Sequence, residues 1–123
     1  MAIKNTLQTF RNIVAGDMSQ ATITSSVTNI QWIDNIGIQL TFSGTPTGTF
    51  AIQVSADYTQ DSQGAVINAG TWYALSTVPT AAAGSAGGSF TSLNNVPAPW
   101  IRVVYTKTSG TGTLNGYICG KAI

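Results

Sequence analysis

Alternation of apolar and polar residues near the C-terminus constrains this chain more than any other feature of its sequence. Every second residue over 101–105 is large and apolar. A period of two is typical of a β-strand with one buried face. A turn rich in Gly, Ser and Thr follows over 108–112, and a second alternation runs over 114–118. The stretch 100–119 therefore predicts two antiparallel strands joined as a β-hairpin.

The same design occurs earlier in the chain, where alternating strands flank a turn over residues 43–49. Ile38 and Ile101 occupy equivalent positions that are 63 residues apart, and Phe50 and Leu114 occupy equivalent positions that are 64 apart. Both turns end in Gly-Thr. Two interpretations stay open: the chain contains a meaningful repeat that builds a pseudo-symmetric sandwich, or common Gly/Thr turns have converged.

Composition favours strands over helices throughout the 123 residues, which are enough for one domain with one core. The chain contains 18 Thr, 11 Ser and no Glu, a composition that disfavours helices and suits strands. Frequent turn signals favour an all-β antiparallel sandwich, jelly-roll-like, over a barrel. The alternation predicts a core made of Ile38, Leu40, Phe42, Phe50, Ile52, Val54, Ile101, Val103, Tyr105, Leu114 and Ile118.

The residue types needed for common catalytic sites are scarce. The chain has no His, one Cys and four Asp as its acidic residues. Ser-His and Cys-His nucleophile pairs and zinc sites are therefore excluded, and a carboxylate pair requires two of the four Asp. Asp57 and Asp61 share a loop, but their spacing matches no standard calcium loop, and an ordinary solvated loop explains them better. We expect no enzymatic activity, no cofactor and no metal.

Charge and hydropathy exclude other partners. The net charge is +1 without a basic run, so phosphate-mediated binding of nucleic acid is not expected. No apolar run has the length of a membrane span, and the first ten residues lack the apolar core of a signal peptide, which predicts synthesis in a cytoplasm. Only 7% of residues are charged, which gives weak protection against self-association. This favours work within an assembly as a homo-oligomer, although an uncharged polar surface that is soluble by itself fits as well.

The N-terminal segment differs from the rest. Residues 1–25 mix isolated apolar residues with small and polar ones. We interpret them as an extended N-terminal arm, with the sandwich domain over 26–123. Apolar residues on an arm have no core of their own and need a partner surface. The predicted assembly contacts are Leu7, Phe10, Ile13 and Val14.

Three aromatic residues are candidates for contact with a ligand. Tyr58, Trp72 and Trp100 follow or precede predicted strands, and aromatic faces can stack on the apolar faces of sugars. Large aromatic side chains also pack in cores and between subunits, and this second interpretation is the more economical one.

The pattern from about residue 27 to 121 resembles small virion structural proteins of tailed bacteriophages. The Gly/Thr turn and strand over 44–55, the Gly-Thr-Trp segment at 70–72 and the strands and turn over 100–114 carry this resemblance. It implies a β-sandwich exposed on the virion, most plausibly a head decoration or cement protein that is made in the host cytoplasm. Its partners are then the major capsid protein or other virion proteins.

A second class of function is also compatible with the sequence. The residues around Trp72 and Arg102 are similar to discoidin-type carbohydrate-binding sandwiches, although the regular aromatic or Arg rim of those domains is missing here. The alternative is therefore a carbohydrate-binding, receptor-adhesion module associated with a tail or fibre.

Overall fold

The computed structural model describes residues 6–79 and 87–121, and every regular element in these ranges is a strand. Side chains are described for 9–75 and 87–121. The strands are β1 (Thr6–Asp17), β2 (Thr22–Thr24), β3 (Thr28–Asn29), β4 (Asn35–Gly44), β5 (Thr47–Ser55), β6 (Thr59–Gln60), β7 (Val66–Asn68), β8 (Tyr73–Pro79), β9 (Gly87–Asn94), β10 (Trp100–Ser109) and β11 (Gly112–Lys121).

Two antiparallel sheets pack face to face. Sheet A has the strand order β1-β11-β4-β9, and sheet B has the order β2-β10-β5-β8, with β3 beside β10 as well. The short strands β6 and β7 form a separate hairpin. The pairs β1–β11, β2/β3–β10, β4–β9 and β5–β8 nest inside one another along the chain. This nesting is the rolled-up long hairpin of a jelly roll, which confirms the predicted fold class.

The two predicted hairpins are wrong in their pairing, although their strands are placed correctly. Strands β4 and β5 follow one another in the chain but belong to different sheets, and so do β10 and β11. Instead β4 pairs with β11, and β5 pairs with β10. The turns between them cross from one sheet to the other and contact each other, because the Thr45 amide donates to the Thr111 carbonyl at 2.9 Å.

Glycine is required where these two turns meet. Gly110 has a φ of +83°, and a Cβ at this position would lie 2.0 Å from the Thr45 carbonyl oxygen. Only glycine adopts this backbone conformation without strain and leaves room for so close an approach. The Gly/Thr content of the turns therefore serves the contact between them.

The core lies between the sheets and matches the alternation. Ten of the eleven predicted residues belong to one buried cluster, and Val54 packs against it while partly buried. The ring of Phe50 lies between Phe42 and Tyr105, at centroid distances of 6.0 and 5.2 Å. The cluster also contains buried residues outside the predicted list: Ile13, Met18, Ile30 and Ile36.

The predicted N-terminal arm requires a correction over residues 6–17. This segment is strand β1, which pairs with β11 from Thr6 opposite Lys121 to Asp17 opposite Thr113. Irregularities in the register interrupt the pairing at three places. Helical spacing of apolar residues suggested a detached arm, but bulges shift which side chains face inward, so a bulged strand loses its period of two.

Candidate functional site

No cluster of three or more His, Cys, Asp or Glu side chains occurs in the described part of the chain. Likewise, those residues include no helix long and apolar enough to cross a membrane. The features that remain are an aromatic cluster, a groove and a set of exposed apolar side chains.

The three predicted aromatic residues come together at one end of sheet B. Tyr58 is buried, and its ring lies 5.6 Å from that of Trp72 and 4.9 Å from that of Trp100. The Tyr58–Trp100 pair is edge-to-face, a favoured geometry for aromatic rings. These residues belong to three different segments: the end of β5, the start of β8 and the start of β10. The cluster therefore fastens the connection 56–72 to the sheet.

Arg102 completes this cluster on the outer face of sheet B. Its guanidinium carbon lies 4.3 Å from the centroid of Trp72, a cation–π distance. Its Nε donates to Gln53 Oε1 at 2.8 Å, and burial lowers the pKa of Arg102 from its ordinary value. The indole nitrogen of Trp72 donates to the Ala69 carbonyl at 2.9 Å. Trp72 is thus in contact with Arg102, Tyr58 and its own loop, unlike an open platform for a sugar.

Asp57 fastens the same connection by hydrogen bonds. Its carboxylate accepts from the Thr71 amide at 2.7 Å and from the Ser55 hydroxyl at 2.8 Å. The bond from Thr71 and then that from Ser55 favour the ionised form and hold the pKa of Asp57 below its ordinary value of 3.8. A depressed folded-state pKa contributes stability above the unfolded value, and this contribution is lost as the pH falls through the folded value.

We therefore expect Asp57→Asn to lower the melting temperature at neutral pH. The difference from the native chain should shrink as the pH falls below 3.8, because protonation then removes the same charge from the native protein. Thermal melts followed by circular dichroism over a pH series measure this. Asp61 accepts from the Gln63 and Ala65 amides within its own turn, so Asp61→Asn is the matched control and should have a smaller effect. An Asp57→Asn effect that is the same at every pH would contradict the expectation.

The predicted assembly contacts separate into two groups. Phe10 and Val14 are exposed, at 49% and 64% of their surface, and lie on the edge strand β1. Ile13 is buried in the core and is therefore not available to a partner. The backbone of Leu7 lies in β1, opposite Gly120, but its side chain is outside the part of the chain that the structure describes.

Phe10 also lines a groove between the two sheets. The groove has a volume of about 420 Å³ and lies between β1 and the segment 26–29. A shallower depression of about 330 Å³ lies on sheet A beside Phe90. The Phe90 ring covers Gly37 and approaches Cys119, and 61% of its surface is exposed.

Sequence reasoning missed most of the exposed apolar residues. Trp32 and Tyr73 are exposed over 72% and 70% of their surface. Alternation gives no signal for them, because Trp32 lies in a loop and Tyr73 begins an edge strand whose outer side is open. Among described residues, the large hydrophobic side chains with high exposure are Phe10, Val14, Trp32, Val66, Ile67, Tyr73, Leu75 and Phe90.

Comparisons with known proteins concern the fold. No protein-family model matches the sequence, and no curated protein matches it significantly. Among solved structures, the fold is similar to that of the SPBc2 prophage-derived protein YomS, with a TM-score of 0.55 and 8% identity over 98% of this chain and 97% of YomS. This likeness shows a shared fold over the full length of both chains.

Two further structures are less similar. The K1 cleaved adhesin domain of Lys-gingipain from Porphyromonas gingivalis W83 has a TM-score of 0.45 and 10% identity, over 83% of this chain and 63% of that one. A structure of the infectious bursal disease virus Gx strain has a TM-score of 0.44 and 17% identity, over 97% of this chain and 32% of that one. We draw no conclusion from these two scores.

Proposed function

We propose that this chain is a non-enzymatic structural protein of a tailed-phage virion, a decoration or cement protein that binds the assembled head. The observation that carries the proposal is the set of eight exposed large hydrophobic side chains on a protein with only 7% charged residues. Exposed apolar surface of this kind is typical of sites that bind other proteins. Assembly on a shell of major capsid protein would cover it.

Two other observations support the proposal. The jelly roll is a fold that viral structural proteins use repeatedly, although fold alone does not establish function. The solved structure that shares the fold over its full length is described as prophage-derived. The sequence resemblance to phage virion proteins points the same way.

Sheet A and its edge β1 provide the surface proposed to bind the head. Phe10 and Val14 on β1 and Phe90 on β9 occupy the two edge strands of this sheet. Covering such a side chain contributes about 1.5–3 kcal/mol. Since these residues are already ordered on strands, little conformational entropy is lost when they bind. Three contacts of this type in each of many copies are sufficient to hold a protein on a lattice.

We expect Phe90→Ser to reduce occupancy of the head without unfolding the protein. Loss of about 1.4 kcal/mol of binding energy corresponds to a tenfold weaker affinity. The measurement is the density of the bound protein in cryo-electron microscopy of heads incubated with limiting amounts of each variant. Gln39→Ala, at an exposed polar position that pairs with Phe90, is the matched control and should bind like the native chain.

Two results would contradict the proposal. One is the absence of native protein from the virion head. The other is binding to glycans without binding to heads, which would favour the carbohydrate-binding tail or fibre module.

A further inference from the structure

The strand pairing relates the two halves of the sandwich to each other. Half 1, residues 6–55, contains β1 to β5, and half 2, residues 73–121, contains β8 to β11. Exchanging β1 with β8, β2/β3 with β9, β4 with β10 and β5 with β11 converts the strand order of sheet A into that of sheet B. The sandwich therefore has a pseudo-twofold arrangement in which each sheet is the counterpart of the other.

The register of the ladders follows the same relation residue by residue. Phe10 lies opposite Ile118 on one edge, and Tyr73, which is 63 residues after Phe10, lies opposite Val54, which is 64 before Ile118. Thr28 lies opposite Ile101, and Thr91, again 63 residues later, lies opposite Ile38, which is 63 before Ile101. A chance likeness between two turns does not predict matching registers on the outer strands.

The sequences at equivalent positions agree as well. Residues 26–33 read SVTNIQWI, and residues 89–96 read SFTSLNNV. Ile30 belongs to the core, and its counterpart Leu93 packs against the core. Ile33 and its counterpart Val96 are both partly buried against the same cluster.

Every strand pair within the two sheets joins half 1 to half 2. In sheet A the pairs are β1–β11, β11–β4 and β4–β9, and in sheet B they are β2–β10, β3–β10, β10–β5 and β5–β8. Within these two sheets, as described, no strand is hydrogen-bonded to another strand of its own half. Each half therefore obtains its backbone hydrogen bonds from the other half, because buried strands must be paired.

We propose that the chain is a tandem duplication of one strand unit, and that the partner each half is built to bind is another half. The partner is normally supplied by the same chain, and a second copy of the chain supplies it when halves are exchanged. The connection 56–72 allows this exchange. Its 17 residues reach about 55–60 Å when extended, and Asp57, Tyr58 and Trp72 hold it to the sandwich through contacts that can be broken and remade.

A disulfide between the halves tests the exchange on the full-length protein. Ala51 on β5 lies opposite Val104 on β10, so Ala51→Cys with Val104→Cys, in a Cys119→Ser background, places one thiol on each half. The protein is unfolded in urea, refolded at low or high concentration, separated by gel filtration and oxidised. We expect the dimer fraction to rise with concentration and to become covalent on a non-reducing gel, while the monomer fraction closes the bond within one chain.

The single variant Ala51→Cys is the control and should give no covalent dimer by this route. A dimer fraction whose disulfides all form within single chains would show contact between intact sandwiches and would overturn the exchange. Absence of any dimer after refolding at high concentration would overturn it as well.

A reciprocal exchange of segments tests the equivalence of the halves. We expect a chain in which residues 26–31 and 89–94 trade places to keep a cooperative melt within a few degrees of the native chain. In the control, residues 27–32 replace 89–94, which shifts the pattern by one position and turns every side chain to the other face. The halves are not equivalent if the reciprocal exchange is as damaging as this shifted control.

Discussion

Deletion of residues 6–15 is expected to unfold the whole protein. These residues form most of β1, which pairs with β11 along the edge of sheet A. Ile13 is buried in the core, and the Asn12 carbonyl accepts a hydrogen bond from the Ser26 amide at 3.0 Å. Loss of one buried Ile side chain alone costs about 2–5 kcal/mol, and a domain of this kind is stable by only about 5–15 kcal/mol in total. Thermal melts followed by circular dichroism test the expectation.

Val14→Ser is the control for this deletion. Its side chain is exposed on the same strand, so we expect a change in stability within about 0.5 kcal/mol. A deleted chain that melts cooperatively at the native temperature would show that β1 is dispensable for the fold, and the arm predicted from the sequence would then be the better description.

Phe50→Ala is expected to cause the largest loss of stability among single substitutions of the core. Phe50 is fully buried and contacts the rings of Phe42 and Tyr105 from opposite ends of the aromatic row. Removal of a buried Phe ring costs about 3–5 kcal/mol, because transfer energy is lost and a cavity remains. Urea unfolding measures the change in the free energy of unfolding from the shift of the midpoint at constant slope.

Phe90→Ala is the matched control for Phe50→Ala. It removes the same ring from an exposed position on sheet A, so the free energy of unfolding should change by about 0.5 kcal/mol or less. Equal losses for the two variants would contradict the placement of Phe50 at the centre of the core.

The core could be predicted well because burial along a strand is a local property. Successive side chains of a strand point to opposite faces, so the alternation around Ile38, Phe50 and Ile101 identifies the inward face without knowledge of any partner. Ile13 and Ile30 were not recognised as core residues for the same reason. Ile13 lies on a strand with irregular register, and Ile30 lies just outside the two-residue strand β3.

Pairing between strands could not be predicted in the same way. A turn such as residues 43–49 does not specify whether the chain continues in the same sheet or crosses to the opposite one. The strands on either side each have one apolar face, and these faces cover each other only if β4 and β5 lie in opposite sheets. Burial of both faces therefore decided against the predicted hairpins.

The candidate surfaces show the same division. The sequence identified Tyr58, Trp72 and Trp100 as a group, and they do meet in space. Their role as an anchor for the connection 56–72 depends on Arg102 and Asp57, which lie on other segments of the chain or bond across the loop. The exposure of Tyr73 and Phe90 follows from their positions on edge strands, which is a consequence of strand order.

The sequence by itself determined the all-β class, the positions of the long strands, their inward faces and the scarcity of residues for catalysis, because each of these depends on residue type and local spacing. Only the tertiary structure decided which strands pair, that residues 6–17 belong to a sheet and that the repeat extends over both halves. These properties depend on contacts between residues about 60 or more positions apart, such as Ile38 with Ile118, and the free energy of such contacts is set by how two distant faces fit together.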